Sequence, residues 1–127
     1  MIYKYTIPLP PVTKKNSQRI LVNRKTGMPF IAPSSAYKHY EEQAINFLTP
    51  KPKTPLAGRC RVVTVFYMKT RRKCDVSNCL EAAHDLLVKG RILADDNYTI
   101  IESVDGNRVK YDKDNPRTEI TIEELEE

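Results

Sequence analysis

The sequence predicts an α+β protein in which two main helices pack against a mixed β-sheet. Three observations predict it: two stretches carry apolar residues at three- and four-residue steps, several runs alternate or cluster β-branched and aromatic residues, and proline or glycine punctuates the junctions between them. With 127 residues and 40% hydrophobic content, the chain suits one compact domain, 1–127, and is too short for two ordinary ones.

Residues 3–7 read as a short strand, stopped by Pro8, Pro10 and Pro11 because proline supplies no ladder N–H. A basic loop runs from Thr13 to Gly27, with room for a hairpin that pairs 20–22 with 30–31 across Lys25-Thr26-Gly27. Ser34 or Ser35 can cap a helix whose apolar positions are Tyr37, Tyr40, Ala44, Ile45 and Leu48, and prolines at 50, 52 and 55 end it. Residues 60–68 are apolar on both faces through Val62, Val63, Val65, Phe66 and Tyr67, the pattern of a central strand. After Asp75, the residues Val76, Cys79, Leu80, Ala83, Leu86 and Leu87 trace one face of a second helix, with Gly90 placed to terminate it. Strands are expected at 98–104 and 108–111, joined as a hairpin at Asp105-Gly106. Last, Thr118, Ile120 and Ile122 alternate with Glu119, Thr121 and Glu123, which gives a strand with one wet face.

Charge is divided along the chain. Residues 1–73 hold 15 of the 21 Lys and Arg against only Glu41 and Glu42, while residues 74–127 hold 14 of the 16 acids, so the two parts carry about +13 and −8. One part attracts phosphate and the other can bind cations. No apolar run approaches membrane-spanning length, and Met1-Ile2-Tyr3-Lys4-Tyr5 lacks the layout of a signal peptide, so the expected location is the cytoplasm, with no membrane partner. The cysteines at 60, 74 and 79 are expected to be reduced thiols that behave as small apolar residues, and a zinc half-site at Cys74 and Cys79 is not favoured. His39 and His84 receive no role, since nothing beside them in sequence supplies a nucleophile or a second nitrogen ligand. The chain has no Gly-rich phosphate loop and no Gly-x-Ser-x-Gly elbow, so neither Walker-type nor serine chemistry has support.

The chemistry concentrates between Arg71 and Asn97. Arg71-Arg72-Lys73 precedes Asp75, then Asn78, Glu81 and Asp85 at helical spacing, then Asp95-Asp96. A cation cluster beside enough carboxylate to hold a hard divalent metal is what hydrolysis of a nucleic-acid backbone requires. Asn78, Glu81 and Asp85 fall within about 60° of one another around a helix, nearly opposite its apolar face. The competing reading is a solvated helix surface. Against it, the four-residue pair Glu81 and Asp85 repels unless a cation offsets it, and a metal would do so. Asp75 also stands where a helix N-cap would, and Asp95-Asp96 also suits a plain turn.

Three stretches, Ile7-Pro8-Leu9-Pro10-Pro11 with Lys14-Lys15-Asn16-Ser17, then Arg71 through Asn78, then Asp85-Leu86-Leu87 leading to Asp95-Asp96, resemble the RusA family of Holliday junction resolvases, usually encoded by phages and prophages. The resemblance implies a homodimeric, magnesium-dependent endonuclease that cuts branched DNA, the four-way junction, by paired symmetric nicks, with manganese as a substitute ion. It implies Asp75 and Asp96 as primary metal ligands, Asp95 as a further ligand acting directly or through water, and Asn78 as an orienting residue; Glu81 joins the ligand set through its own helical position. Lys14, Lys15, Asn16, Arg71, Arg72 and Lys73 are assigned to DNA, with Arg19 and Arg24 extending the basic surface. Asp85 is assigned either to the site or to an ion pair that anchors the helix. The chain departs from the family pattern twice: Ser77 replaces a second aspartate, and Glu81 replaces a lysine. Ser77 and Glu81 are helical neighbours, so Glu81 can restore the missing carboxylate from the next turn. A junction-binding protein without cleavage, and a nuclease for other branched or single-stranded nucleic acid, are the alternatives.

Overall fold

A computed structural model describes residues 1–14 and 18–125. Among them the elements run, in chain order, β1 (Ile2–Ile7), β2 (Gln18–Val22), β3 (Pro29–Pro33), α1 (Ser35–Ile45), β4 (Cys60–Met68), α2 (Val76–Lys89), β5 (Ile101–Ser103), β6 (Arg108–Tyr111) and β7 (Arg117–Glu124). The α+β class and both helices agree with the sequence pattern.

The main sheet is mixed. β7 lies between β1 and β4 and runs antiparallel to both, while β5 and β6 pair in parallel with the other edge of β4. Connecting two parallel neighbours requires a crossover, and α2 is that crossover between β4 and β5. The expected hairpin at Asp105-Gly106 is therefore corrected. A turn does form there, with the Asn107 N–H donating to the Val104 carbonyl, but the chain then resumes its former direction along β4. Gly106 has φ of +102°, and a Cβ there would meet Val63 Cγ1 at 3.1 Å, so glycine serves both the turn and the close approach. Residues 98–100 belong to a turn before β5 rather than to the strand.

The strands bury alternate residues. Tyr5 and Ile7 of β1, Cys60, Val62, Thr64 and Phe66 of β4, and Thr118, Ile120 and Ile122 of β7 point inward. Their apolar members apart from Phe66 meet Ala44, Leu48, Leu86 and Leu87 from the helical side, while Phe66 packs with Cys79 and Ala83 in a second, smaller cluster. Against expectation, β4 is not buried on both faces: Arg61 is exposed and Val63, Val65 and Tyr67 are only half-buried, because the helices cover one side of this sheet. β2 and β3 form a separate two-stranded hairpin with Ile20 opposite Ile31 and Leu21 opposite Phe30, as the sequence pattern predicts.

The start of α1 and the end of α2 are set by local hydrogen bonds. The Ser34 hydroxyl accepts the Tyr37 N–H at 3.1 Å, capping α1. At the end of α2 the Ile92 N–H donates to the Leu87 carbonyl and the Arg91 N–H to the Val88 carbonyl, a Schellman arrangement in which Arg91 takes the left-handed conformation, φ +64°. Gly90 is not the left-handed residue that terminates the helix. Its value is space, since a Cβ at Gly90 would lie 2.6 Å from Leu48 Cδ1 and 3.0 Å from the Leu86 carbonyl. Substitutions at these two adjacent positions should accordingly have opposite signs in urea denaturation. Gly90→Ala is expected to destabilise by about 1–3 kcal/mol through overpacking, and Arg91→Gly to stabilise by about 1 kcal/mol by relieving the left-handed strain.

Candidate active site

β4 delivers the chain at Met68 into the cationic turn, residues 69–74, and the turn enters α2 at Asp75. Residues 11–13 face this turn, and the two segments enclose an open cleft of about 220 Å³ lined by Pro11, Val12, Thr13, Met68, Thr70, Arg72, Lys73 and Cys74. Arg72 and Lys73 are exposed at its wall. Arg71 turns elsewhere, its guanidinium lying 4.1 Å from the centroid of the Tyr111 ring at the end of β6.

Asp75 occupies the N-cap position of α2 with extended backbone, but its carboxylate makes no capping hydrogen bond. Asp75 is exposed and directly follows Cys74, the last residue of the cleft lining. One turn into the helix, Cys79 and Asn78 are buried, at 1% and 9% exposure. Burial pushes the Cys79 thiol up to about 12, with the neighbouring Cys74 thiol and the Asp75 carboxylate adding to the shift, so the thiol stays neutral.

Farther along α2, the Asp85 carboxylate accepts the Lys14 ammonium at 2.9 Å. This contact raises the Lys14 pKa, with smaller contributions from the charges of Glu41 and Glu81. A lysine from the N-terminal segment thus bonds Asp85 and also feels the charge of Glu81, so a cation of the protein itself approaches the face these two acids share. The ion pair is partly shielded and of the kind that stabilises by at most about 1 kcal/mol. Lys14 also lies 5.7 Å from the centroid of the Tyr37 ring, the Tyr37 hydroxyl donates to Glu41 Oε2, and Lys89 donates to both Glu41 oxygens. The polar stripe of α2 is thus not a plain solvated face, because α1 and the N-terminal segment flank it.

Asp95 and Asp96 are exposed in the turn after α2. The Asp95 carboxylate is engaged locally, accepting the Asp96 N–H at 2.7 Å and the Asn97 amide at 3.2 Å, which holds its pKa below the usual carboxylate range. Asp96 acts on His84, a residue to which sequence reasoning assigned nothing. Burial lowers the His84 pKa, and the Asp96 and Asp85 carboxylates pull it back up in part. The only sequence signal for His84 is its adjacency to Asp85. The structure thus links Asp75 to Cys79, Glu81 and Asp85 to Lys14, and Asp85 and Asp96 to His84. Among the described residues it does not gather three His, Cys, Asp or Glu side chains into one metal-holding group. Lys15 and Asn16 lie outside the described residues, as does the side chain of Arg19; Arg24 is exposed in the turn between β2 and β3. No helix among the described residues is long and apolar enough to cross a membrane.

Residues 8–123 match the family model for Endodeoxyribonuclease RusA, a span that includes the cleft, α2 and the Asp95-Asp96 turn. No curated protein matches the chain.

The His84 shift has a measurable consequence for stability. A histidine whose folded pKa lies below the ordinary 6.5 binds protons more readily in the unfolded chain, so its contribution is full above about pH 6.5 and is lost as pH falls through that value toward the folded pKa. Urea denaturation of the protein and of His84→Gln between pH 7.5 and 5 should show a shallower decline for the variant. Parallel declines would mean that His84 titrates normally.

Proposed function

The chain belongs to the RusA endodeoxyribonuclease family, and from that premise we propose that it resolves four-way DNA junctions by paired, symmetric, metal-dependent hydrolysis of phosphodiester bonds. Asp75 carries this reading: an exposed residue at the head of α2, its carboxylate not engaged in the helix cap, directly following the lining of a cleft walled by Arg72 and Lys73. Lys and Arg attract the DNA backbone and release its counterions, an affinity that falls with salt and is indifferent to sequence. Such contacts suit a substrate defined by the arrangement of its phosphates rather than by its bases.

The carboxylates of Asp75, Glu81, Asp95 and Asp96 are hard oxygen donors, which suit magnesium or manganese. Magnesium takes one or two carboxylates and completes its shell with water and substrate phosphate, so an acidic surface without a closed cage fits it. Asp75 would be its primary ligand at the head of α2, and Asp96, Glu81 and Asp95, which do not form one group with it among the described residues, would act through bound water and substrate phosphate. When bound, the ion would acidify a water and neutralise charge developing on the scissile phosphate. Asn78, buried one turn behind Asp75, would orient that carboxylate or a water.

Paired cuts need two sites in a fixed relation, and a two-fold dimer supplies them from one chain. The β2–β3 hairpin supports a second copy as partner, because Ile20, Val22, Met28, Phe30 and Ile31 are 46–74% exposed along it, more apolar surface than a short isolated hairpin keeps in water. Ser77, exposed on the first turn of α2 where the family has an aspartate, favours a second reading in which the protein binds junctions without cutting them.

Incubation with a synthetic four-way junction, linear duplex and single strand, each with and without magnesium, tests the proposal. Symmetric nicks in the junction alone, only with magnesium, are expected, and Asp75→Asn should lower the rate by ~100-fold or more at retained junction affinity. Glu81→Gln should also be slower if Glu81 replaces the missing aspartate. Equal cleavage of every substrate would end the junction assignment, and metal-independent binding without products would establish the second reading.

A further inference from the structure

The Cys74 and Cys79 sulfurs lie 3.5 Å apart. With Asp75 at the N-cap, these residues hold the positions immediately before the cap and four residues after it, the two that pack against each other as a hydrophobic staple at a helix start. Both belong to a small apolar cluster with Phe66, Met68, Leu80, Ala83 and Val109, which fixes their approach. Cys79 is 1% exposed, whereas Cys74 is half-buried and lines the open cleft. Other pairs of apolar residues would serve a staple equally well; only two thiols allow its contact to become a covalent bond.

We propose that Cys74 and Cys79 form a thiol-oxidation site, which a low-molecular-weight disulfide converts into an intrachain disulfide that bridges Asp75. Cys74, reachable from the cleft, loses its proton and attacks one sulfur of the oxidant, releasing one thiol and forming a mixed disulfide. Cys79, a buried and neutral thiol at rest, gives up its proton to the departing thiolate as its sulfur attacks Cys74 Sγ and expels the second thiol. Two protein thiols are oxidised, the external disulfide is reduced to two thiols, and the two protons pass to the departing thiolates. The sulfurs must close from 3.5 Å to about 2.05 Å, a movement that rotation of the Cys74 side chain in its non-helical segment can supply. Arg72 and Lys73 at the same cleft favour an anionic oxidant such as glutathione disulfide. Cys60 is fully buried in the main core, where its thiol donates to the Gly58 carbonyl, and stays outside the exchange.

Oxidation at this site goes beyond the nuclease reading, and its test does not depend on cleavage. The native full-length protein is incubated with glutathione disulfide, quenched with acid, alkylated under denaturing conditions, digested with trypsin and weighed without reduction. Cleavage after Lys73 and Lys89 leaves both cysteines in one peptide, residues 74–89, while Cys60 leaves in another. The 74–89 peptide is expected to lose two hydrogens, to resist alkylation and to recover on reduction, with Cys60 alkylated throughout. In Cys74→Ser, Cys79 should remain a free thiol without an adduct. A 74–89 peptide alkylated at both cysteines, or one carrying glutathione on Cys74 beside a free Cys79, would overturn the proposal.

Discussion

The position of every group around the cleft depends on β4. This strand is paired along both edges, to β7 on one side and to β5 and β6 on the other. Its residues from Cys60 to Met68 are therefore fixed by ladders in two directions, and the cationic turn leaves from its end. α2 must then cross back over the sheet to start β5 in parallel, which places Asp75 at one end of the helix and Asp96 in the turn beyond the other. The acids of the candidate site are consequences of this crossover. They come from a helix and its exit turn, the turn being bonded to Leu56 shortly before β4.

Around that frame, opposite charges are distributed to limit self-repulsion rather than being left to collide. Lys14 sits among Asp85, Glu81 and Glu41, and Lys89 reaches Glu41 from α2. Arg71 rests on Tyr111, and Arg117 pairs with Asp112 and Glu119 while covering Tyr67. These contacts fix side chains at modest energetic gain, since partly exposed pairs stabilise little. Their effect on the site is selective. Cations at the flanks such as Lys14, Lys89, Arg71 and Arg117 are held by protein partners, whereas Arg72 and Lys73 stand exposed at the cleft.

Much of this is legible in the sequence, and the remainder is hidden for physical reasons. Alternation marks β1 and β7, helical periodicity marks α1 and α2, and Lys25-Thr26-Gly27 marks the β2–β3 turn, because each is decided within a few residues. The β5–β6 segment misleads because Asp105-Gly106 specifies a turn but not the direction of the strand beyond it; the vacant parallel edge of β4 decides that. Gly90 looks like a helix terminator because glycine commonly is one, yet its reason is the Leu48 side chain, 42 residues away in the chain. The link between Lys14 and Asp85 spans 71 residues and leaves no local trace. Spacing can show that Glu81 and Asp85 share a face, but not that a lysine approaches it.

That lysine bears on the two departures from the family pattern. If Glu81 served only to restore the carboxylate absent at Ser77, it would add a second acid four residues from Asp85 and raise the repulsion on that helix face. Lys14 reduces this cost, since its ammonium bonds Asp85 and also feels the charge of Glu81. Lys14 thereby lowers the repulsion on this face by a contact of the protein's own. A metal would then compete with Lys14 for Asp85 but not for Asp75, whose carboxylate the helix cap does not use. Asp75 is consequently the carboxylate at which an ion would have least to displace, and Asp85 the residue that anchors the N-terminal segment against α2.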